Sequence, residues 1–348
     1  MNLTQAELKN KLEVYLTKRL NGITKISEMF PLSGGACQDN YLLDLQVESG
    51  ESIGDYQLVF RTDKGAALLT SLSRENEYKV AEIANQNSVN TPKPYWLETD
   101  RSVLGNPFYF MQRISGKATG RYIVKDPSLN KIRKQLIEEI ALGLSNIHKI
   151  TEDKIKDSDL LKVLTRGEGE SAHSIAKFAV SELKDQILTL SEPHPAMSLI
   201  LNWLDKNITE TDQKILVHGD FRTGNFMANE EGLQGIVDWE FAHIGDRHED
   251  IAWLCMRDWR FGKLKKEVGG FTTREEFYSL YEKYSGIQID PKKVLYWEVV
   301  GNLRWAIGSV QQGERHTSGK DKGIELASIG RRTCEMEMEA MRLIEHAR

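Results

Sequence analysis

The sequence predicts an α+β protein in two parts, a sheet-containing region over residues 1–112 and a larger, mainly helical region over 113–348. Three observations carry this. Short apolar runs separated by turn clusters fill the chain to about Met111, helical periodicities fill most of the remainder, and one hairpin pattern interrupts the helices between Phe226 and Val237.

At the amino end, Leu8, Leu12, Leu16 and Leu20 recur every fourth residue and define an amphipathic helix. Glu7 and Glu13 lie among its lysines, which favours packing against the first region over binding to a membrane surface. Five strands come after it. The first ends near Leu32, the second covers Asn40 to Leu45, and the third ends in Leu58, Val59, Phe60 and Arg61 after a turn cluster from Glu48 to Asp55. The fourth lies beyond the break at Pro92 and Pro94, and the fifth runs from Asn106 to Ile114, with Phe108, Phe110 and Ile114 read as core before pocket lining. A helix from about Ser73 to Gln86 carries Glu75 and Glu77.

In the second region a long periodic helix is expected from Pro127 to His148, with His148 near its end favouring the helix dipole and having no catalytic role. Thr151 to Ser171 is polar and weakly patterned and reads as a mobile insertion. Helices are expected at 174–190 and 195–207, and four further helical stretches finish the chain, among them 291–311 and 324–346.

Composition narrows the function classes. The 348 residues, 40% hydrophobic and 28% charged, suffice for a large core or two smaller ones. A net charge of −5 argues against a phosphate-backbone binder, so no nucleic-acid partner is expected. Cys37, Cys255 and Cys334 are odd in number and lack zinc spacing, which fits a reducing compartment. The amino end does not read as a signal peptide, and no apolar run reaches about 18 residues, so no membrane span is expected and the chain reads as cytoplasmic. The basic run from Lys263 to Lys266 reads as solvated surface, or as a contact for an anionic substrate. Oligomeric state is not legible.

The chemistry lies at 215–226, ILVHGDFRTGNF, and at Asp238, thirteen residues after Asn225. The buried run Ile215 to Val217 delivers His218, Asp220 and Asn225 as HxDxxxxN at a strand end, and the hairpin 226–237 returns Asp238 towards Asn225. Phosphoryl transfer needs a carboxylate to orient the attacking hydroxyl and hard oxygen ligands for Mg²⁺. Asp220 suits the first task, and Asn225 with Asp238 the second.

These motifs resemble the aminoglycoside phosphotransferase-like kinases, relatives of the protein kinases. The likeness runs in order through Leu32 to Ala36, Leu58 to Arg61, Glu75 to Val80, Gly105 to Met111, His218 to Met227, Val237 to Glu240, Gly245 with Asp246, and Glu249 to Trp253. Asp238 to Glu240, with His248 to Leu254 and Trp259 to Gly262, looks most like the branch related to phosphotransferase modules of acyl-CoA dehydrogenases.

The resemblance implies a two-lobed kinase-like fold, with a small lobe containing an antiparallel five-stranded sheet and a helix, and a larger, mainly helical lobe. It implies a Mg²⁺-dependent small-molecule kinase that uses ATP, with GTP as the other candidate, to phosphorylate a hydroxyl on an aminoglycoside-like or hydroxyacyl-CoA-like compound. Ser33, Gly34 and Gly35 would cover the phosphates, and backbone groups near Gln112 and Ile114 would meet the base. Arg61 stands where a lysine is expected, paired with Glu77 or, second, Glu75, and Lys64 is a substitute. Asp250 would brace the catalytic loop, while Glu240, Asp246, Trp259 and Arg260 are substrate-side candidates. Arg222 either screens the transferred phosphate or pairs with a nearby acid. A catalytically silent ligand-binding module is the alternative that Arg61 invites, and metal-dependent hydrolysis through His218, Asp220 and Asp238 is a third reading.

Overall fold

The computed structural model describes residues 4–32, 38–63, 71–166, 171–319 and 323–347. The chain forms two compact units. One comprises 1–116 together with 227–229 and 233–242, and the other comprises 117–226, 230–232 and 243–348.

The first unit opens with α1 (Gln5–Arg19), started by a capping box in which the Thr4 hydroxyl accepts from the Glu7 amide and Glu7 reaches back to the Thr4 amide. Strands β1 (Thr24–Pro31), β2 (Gln38–Val47) and β3 (Gly54–Asp63) precede α2 (Arg74–Gln86). They are succeeded by β4 (Pro94–Glu98), the short α3 (Arg101–Leu104) and β5 (Phe108–Gln112). The strands form one antiparallel sheet in the order β1-β2-β3-β5-β4. This is the five-stranded sheet expected from the sequence.

The leucine stripe of α1 is buried against that sheet, where Leu8, Leu12, Leu16 and Leu20 join Leu43, Leu58, Phe108 and Phe110 in one core. Alternate side chains of a strand face opposite ways, so Tyr109 and Met111 point away from the face that holds Phe108 and Phe110. Tyr109 and Met111 line a small cavity with Arg61, Glu77, Thr91 and Asp238.

The second unit contains α4 (Gly120–Lys125), α5 (Arg133–Ile147), α6 (Ser158–Leu164), α7 (Ser174–Leu188), α8 (Pro195–Lys206) and β6 (Ile215–Val217). The hairpin β7 (Phe226–Asn229) and β8 (Gly232–Ile236) is next in the chain, with most of its residues in the first unit. Strand β9 (His243–Gly245) then pairs antiparallel with β6. Helices α9 (Arg247–Cys255), α10 (Arg274–Ser285), α11 (Pro291–Thr317), α12 (Ile324–Gly330) and α13 (Thr333–His346) complete the second unit. Among the described residues no helix is long and apolar enough to cross a membrane.

Four expectations are corrected. Pro127 to Leu129 is a separate 3-10 turn, capped by Asp126, and Arg133 bonds the Ile123 and Asp126 carbonyls where α5 begins. The 324–346 stretch breaks after Gly330, where α12 comes so close to α11 that a side chain on Gly330 would strike Gly313. The described part of 151–171 is packed, with Leu160 and Leu164 buried and Thr151 and Thr165 bridging to Ile215 and Ile244. His148 is buried and hydrogen-bonded rather than a charge at a helix end, because burial pushes its pKa down and favours the neutral ring.

Leu12 is fully buried in the α1 and sheet core, so Leu12→Ala is expected to destabilise the protein by about 2–5 kcal/mol. Denaturant unfolding monitored by circular dichroism checks this, and a change within error would remove α1 from the core.

Candidate active site

In the second unit the loop that carries His218, Asp220 and Asn225 starts from β6, whose three residues are fully or almost fully buried. Gly219 comes two residues later with φ +76°, a left-handed turn that a glycine takes without a Cβ clash. Asp250 of α9 holds this turn. Its Oδ2 accepts the His218 amide at 2.7 Å and its Oδ1 accepts the Gly219 amide at 2.9 Å. His148 Nε2 lies 3.1 Å from the same carboxylate, and His148 Nδ1 lies 2.8 Å from the Tyr281 hydroxyl. A neutral ring satisfies both partners when Nε2–H donates to Asp250 and Nδ1 accepts from Tyr281. Burial would raise the Asp250 carboxyl, but the hydrogen bond from His148, aided by the loop amides, holds it below its ordinary value.

Asp220 is fixed by three side-chain donors. Its Oδ1 accepts Trp253 Nε1 at 2.7 Å and Arg222 Nε at 2.9 Å. Its Oδ2 accepts Asn225 Nδ2 at 2.7 Å, and the same amide nitrogen reaches the Asp220 carbonyl at 2.9 Å. The nitrogen of Asn225 is thereby committed, which leaves its carbonyl oxygen as the atom able to ligate a cation. Trp253 was not legible as a partner of Asp220, since in sequence it belongs to the apolar periodicity of α9.

Arg222 pairs with Asp220, one of its two sequence readings, and its guanidinium lies 4.5 Å over the Trp259 ring. The Trp259 ring in turn packs, tilted, against both Trp253 and Trp305 with centroids 5.7 Å apart. Two substrate-side expectations meet buried, partnered side chains. Asp246 caps α9 and bonds His248, and Arg260 donates to the Cys255 carbonyl and pairs with Glu298. Trp259 is also mostly buried, at 8% exposure.

In the first unit, Arg61 of β3 joins Glu77 at 2.7 Å and Asp238 at 3.1 Å. Thus Glu77, not Glu75, is the partner; Glu75 instead pairs with Lys79. Glu77 has a second buried cation, Arg74, which also bonds Asp63 at 2.7 Å. Sequence reasoning missed Arg74, although its place three residues before Glu77 on one helix face is the signal that pairs them. Burial opposes the Arg61 charge, yet Glu77, Tyr109 and Asp238 outweigh it and keep the guanidinium protonated.

Asp238 stands at φ +74°, a conformation that aspartate tolerates better than most side chains. The segment around it is tied into the first unit through Ile236 N to the Asn90 carbonyl, Trp239 Nε1 to Thr91, and Leu72 N to the Glu240 carbonyl. Burial, with Asp238 and Glu77 nearby, pushes Glu240 up to about 7. The Gln112 amide is spent on the Lys93 carbonyl. Ile114 lies two residues past β5 with its side chain near Gly235. Ser33, Gly34, Gly35 and Lys64 lie outside the described residues.

Residues 29–287 match the model of the phosphotransferase enzyme family. The chain belongs to that family. Among curated proteins it is 30% identical over 314 residues to a "probable acyl-CoA dehydrogenase" of Arabidopsis thaliana, covering 81% of this chain and 37% of the relative. It is 27% identical over 267 residues to acyl-CoA dehydrogenase family member 10 of Mus musculus, covering 70% of this chain and 24% of the relative. The phosphotransferase chain therefore spans only about a quarter to somewhat over a third of these relatives.

Among solved structures, a Ralstonia eutropha protein provisionally assigned as an aminoglycoside phosphotransferase has a TM-score of 0.73 at 21% identity, with 97% of this chain and 98% of that one covered. A Plasmodium vivax ethanolamine kinase gives 0.59 at 16% identity, with 96% and 89% covered. A mutant aminoglycoside phosphotransferase in ternary complex with ADP and hygromycin B gives 0.59 at 14% identity, with 95% and 98% covered. These likenesses establish the two-lobed kinase-like fold.

The His148 and Asp250 pKa values are both lowered, so both contribute stability at high pH that is lost on acidification. The His148 contribution is present above its unfolded value of about 6.5 and falls below it by at most about 1.4 kcal/mol per pH unit, while that of Asp250 fades only below about 3.9. Denaturant midpoints measured from pH 7.5 to 5 are expected to fall, and the slope is expected to flatten in His148→Gln; an unchanged slope would contradict a neutral buried ring.

Proposed function

We propose that this family member is a Mg²⁺-dependent small-molecule kinase that transfers the γ-phosphoryl group of ATP to an acceptor hydroxyl. The observation that carries the reading is the fixed carboxylate of Asp220. Its Oδ1 accepts two side-chain bonds and its Oδ2 accepts one, so a further lone pair on Oδ2 suits a substrate hydroxyl. Asp220 would orient that hydroxyl and accept its proton as the phosphoryl group transfers.

The donor chemistry suits magnesium. The Asn225 carbonyl and the Asp238 carboxylate are hard oxygen ligands, and Mg²⁺ commonly takes only one or two from protein. When bound, the ion would neutralise charge on the nucleotide phosphates. Arg61, placed by Glu77, would meet those phosphates with a planar fork in place of a lysine's single ammonium. Of the base contacts, Gln112 would offer its carbonyl, since its amide is engaged, and Ile114 its backbone. Ser33, Gly34 and Gly35 keep their proposed place over the phosphates, and the first unit serves nucleotide binding while the second carries catalysis. ATP is favoured over GTP by adenine nucleotides in three structural neighbours' complexes, two with ADP and one with AMP-PNP, against GDP in a fourth.

For the acceptor, the names of the curated relatives support a hydroxyacyl-CoA-like metabolite, while several structural neighbours support an aminoglycoside-like compound. The two curated relatives match at higher identity and favour the first. Phosphate transfer measured across both compound sets tests it: transfer to aminoglycosides alone would overturn the preference. The second reading, a silent nucleotide-binding module, draws on the Arg61 to Asp238 bond, which engages the proposed metal ligand. Turnover with any hydroxyl acceptor would exclude it.

Removing Asp238 tests the metal assignment. Calorimetry of Asp238→Ala with Mg-ATP is expected to show no metal-dependent binding, and undiminished binding would sink the role. Trp253→Phe deletes one donor to Asp220 while keeping an aromatic side chain, and is expected to lower kcat about tenfold with KM for Mg-ATP unchanged. A changed KM with normal kcat would place Trp253 outside catalysis.

A further inference from the structure

Away from Asp220, the helical unit contains a cavity of about 410 Å³ whose walls come from two distant stretches of chain. One stretch is Arg257 to Glu267, including Leu264 and Lys265 of the basic run; the other is α13, which supplies Glu339 and Arg342. Its charge is not balanced. Arg342 forms a two-point fork with Glu339, with Nε to Oε2 at 2.9 Å and the terminal nitrogen to Oε1 at 2.6 Å. Glu339 is therefore already neutralised, yet Arg257 also approaches it at 3.6 Å.

Arg260 and Arg274 share the single buried carboxylate of Glu298, at 3.4 and 2.7 Å, and Arg274 also approaches Glu267 at 3.4 Å. Lys265 has no ion-pair partner among the described residues. Among the described residues the cavity lining itself holds four cations, Arg257, Arg260, Lys265 and Arg342, against two carboxylates, Glu267 and Glu339, a surplus of two positive charges, while Glu298 just behind the wall is shared between Arg260 and Arg274.

Packing cations together is unfavourable unless an anion offsets it, and guanidinium forks suit phosphate oxygens. We propose that this cavity is a binding site for a phosphate-class dianion. The anion is either free phosphate or the phosphate monoester group of a larger molecule, with the half-exposed Leu264 offering an apolar wall to the latter. Arg257 and Arg260 belong to the 3-10 turn that also carries Trp259, and Trp259 lies under Arg222, the partner of Asp220. An anion here would therefore sit one turn from the support of the catalytic carboxylate. The site does not depend on the kinase reading.

Calorimetry on the whole chain, saturated with Mg-ATP to occupy any nucleotide site, would use inorganic phosphate and phenyl phosphate as probes. Lys265→Ala is expected to weaken binding about tenfold, the loss of one charged hydrogen bond, and Lys266→Ala, from the same run but outside the cavity lining, to leave it unchanged. Tighter binding of phenyl phosphate would identify an organic monoester as the ligand, and equal or weaker binding would identify free phosphate. No binding of either probe, or equal binding by wild type and Lys265→Ala, would overturn the proposal. Loss of Mg-ATP binding with phosphate binding intact would count against the kinase reading alone.

Discussion

The carboxylate of Asp250 is the constraint on which the loop from His218 to Asn225 depends. Wholly buried, it accepts the consecutive amides of His218 and Gly219 and a bond from His148. A buried charge persists only where hydrogen bonds replace lost water, and two backbone amides with an imidazole N–H do so here. In return the loop gains a fixed exit from β6, so Asp220 leaves the strand at a determined angle. His148 passes the constraint on to Tyr281, tying α5, α9 and α10 to one loop.

A second set of bonds then aims Asp220. Trp253 shares α9 with Asp250, so one helix both anchors the backbone of the loop and holds the side chain at its tip. Arg222, lying over the Trp259 ring, adds a charged donor whose position is set by that aromatic contact. Such an arrangement holds the carboxylate in one orientation, the form of preorganisation that phosphoryl transfer would require in the role proposed for Asp220. In the first unit the equivalent order comes from charge. Asp63, Arg74, Glu77, Arg61 and Asp238 alternate in sign along one chain, buried at its centre and part-exposed at its two aspartates, so neither arginine is left without a counter-charge.

The relatives add a context for this module without extending its chemistry. The matched region covers 37% and 24% of their length, and the names they carry are those of dehydrogenases. The family assignment rests on the match over 29–287, and the fold on structural likenesses that cover nearly the whole chain.

The periodic elements were legible in the sequence because their signals are local. The leucine stripe of α1, the β7 to β8 hairpin and the HxDxxxxN spacing each lie within a few turns or a single loop. Charge pairs on one helix were in reach too, although Arg74 was overlooked. The inward-facing polar residues could not be told from the outward-facing ones. Asp246 and Arg260 read as substrate-side residues in a linear reading, and only the fold shows that one oxygen of Asp246 caps α9 and that Arg260 pairs with the buried Glu298. His148 reads as a helix-end charge until Tyr281 and Asp250, 133 and 102 residues away, turn it into a neutral strut. The sequence by itself determined the elements and the spacing of the reactive groups. The tertiary structure alone decided their partners, because burial and long-range hydrogen bonding, not residue type, set whether a polar side chain is spent on the fold or available to chemistry.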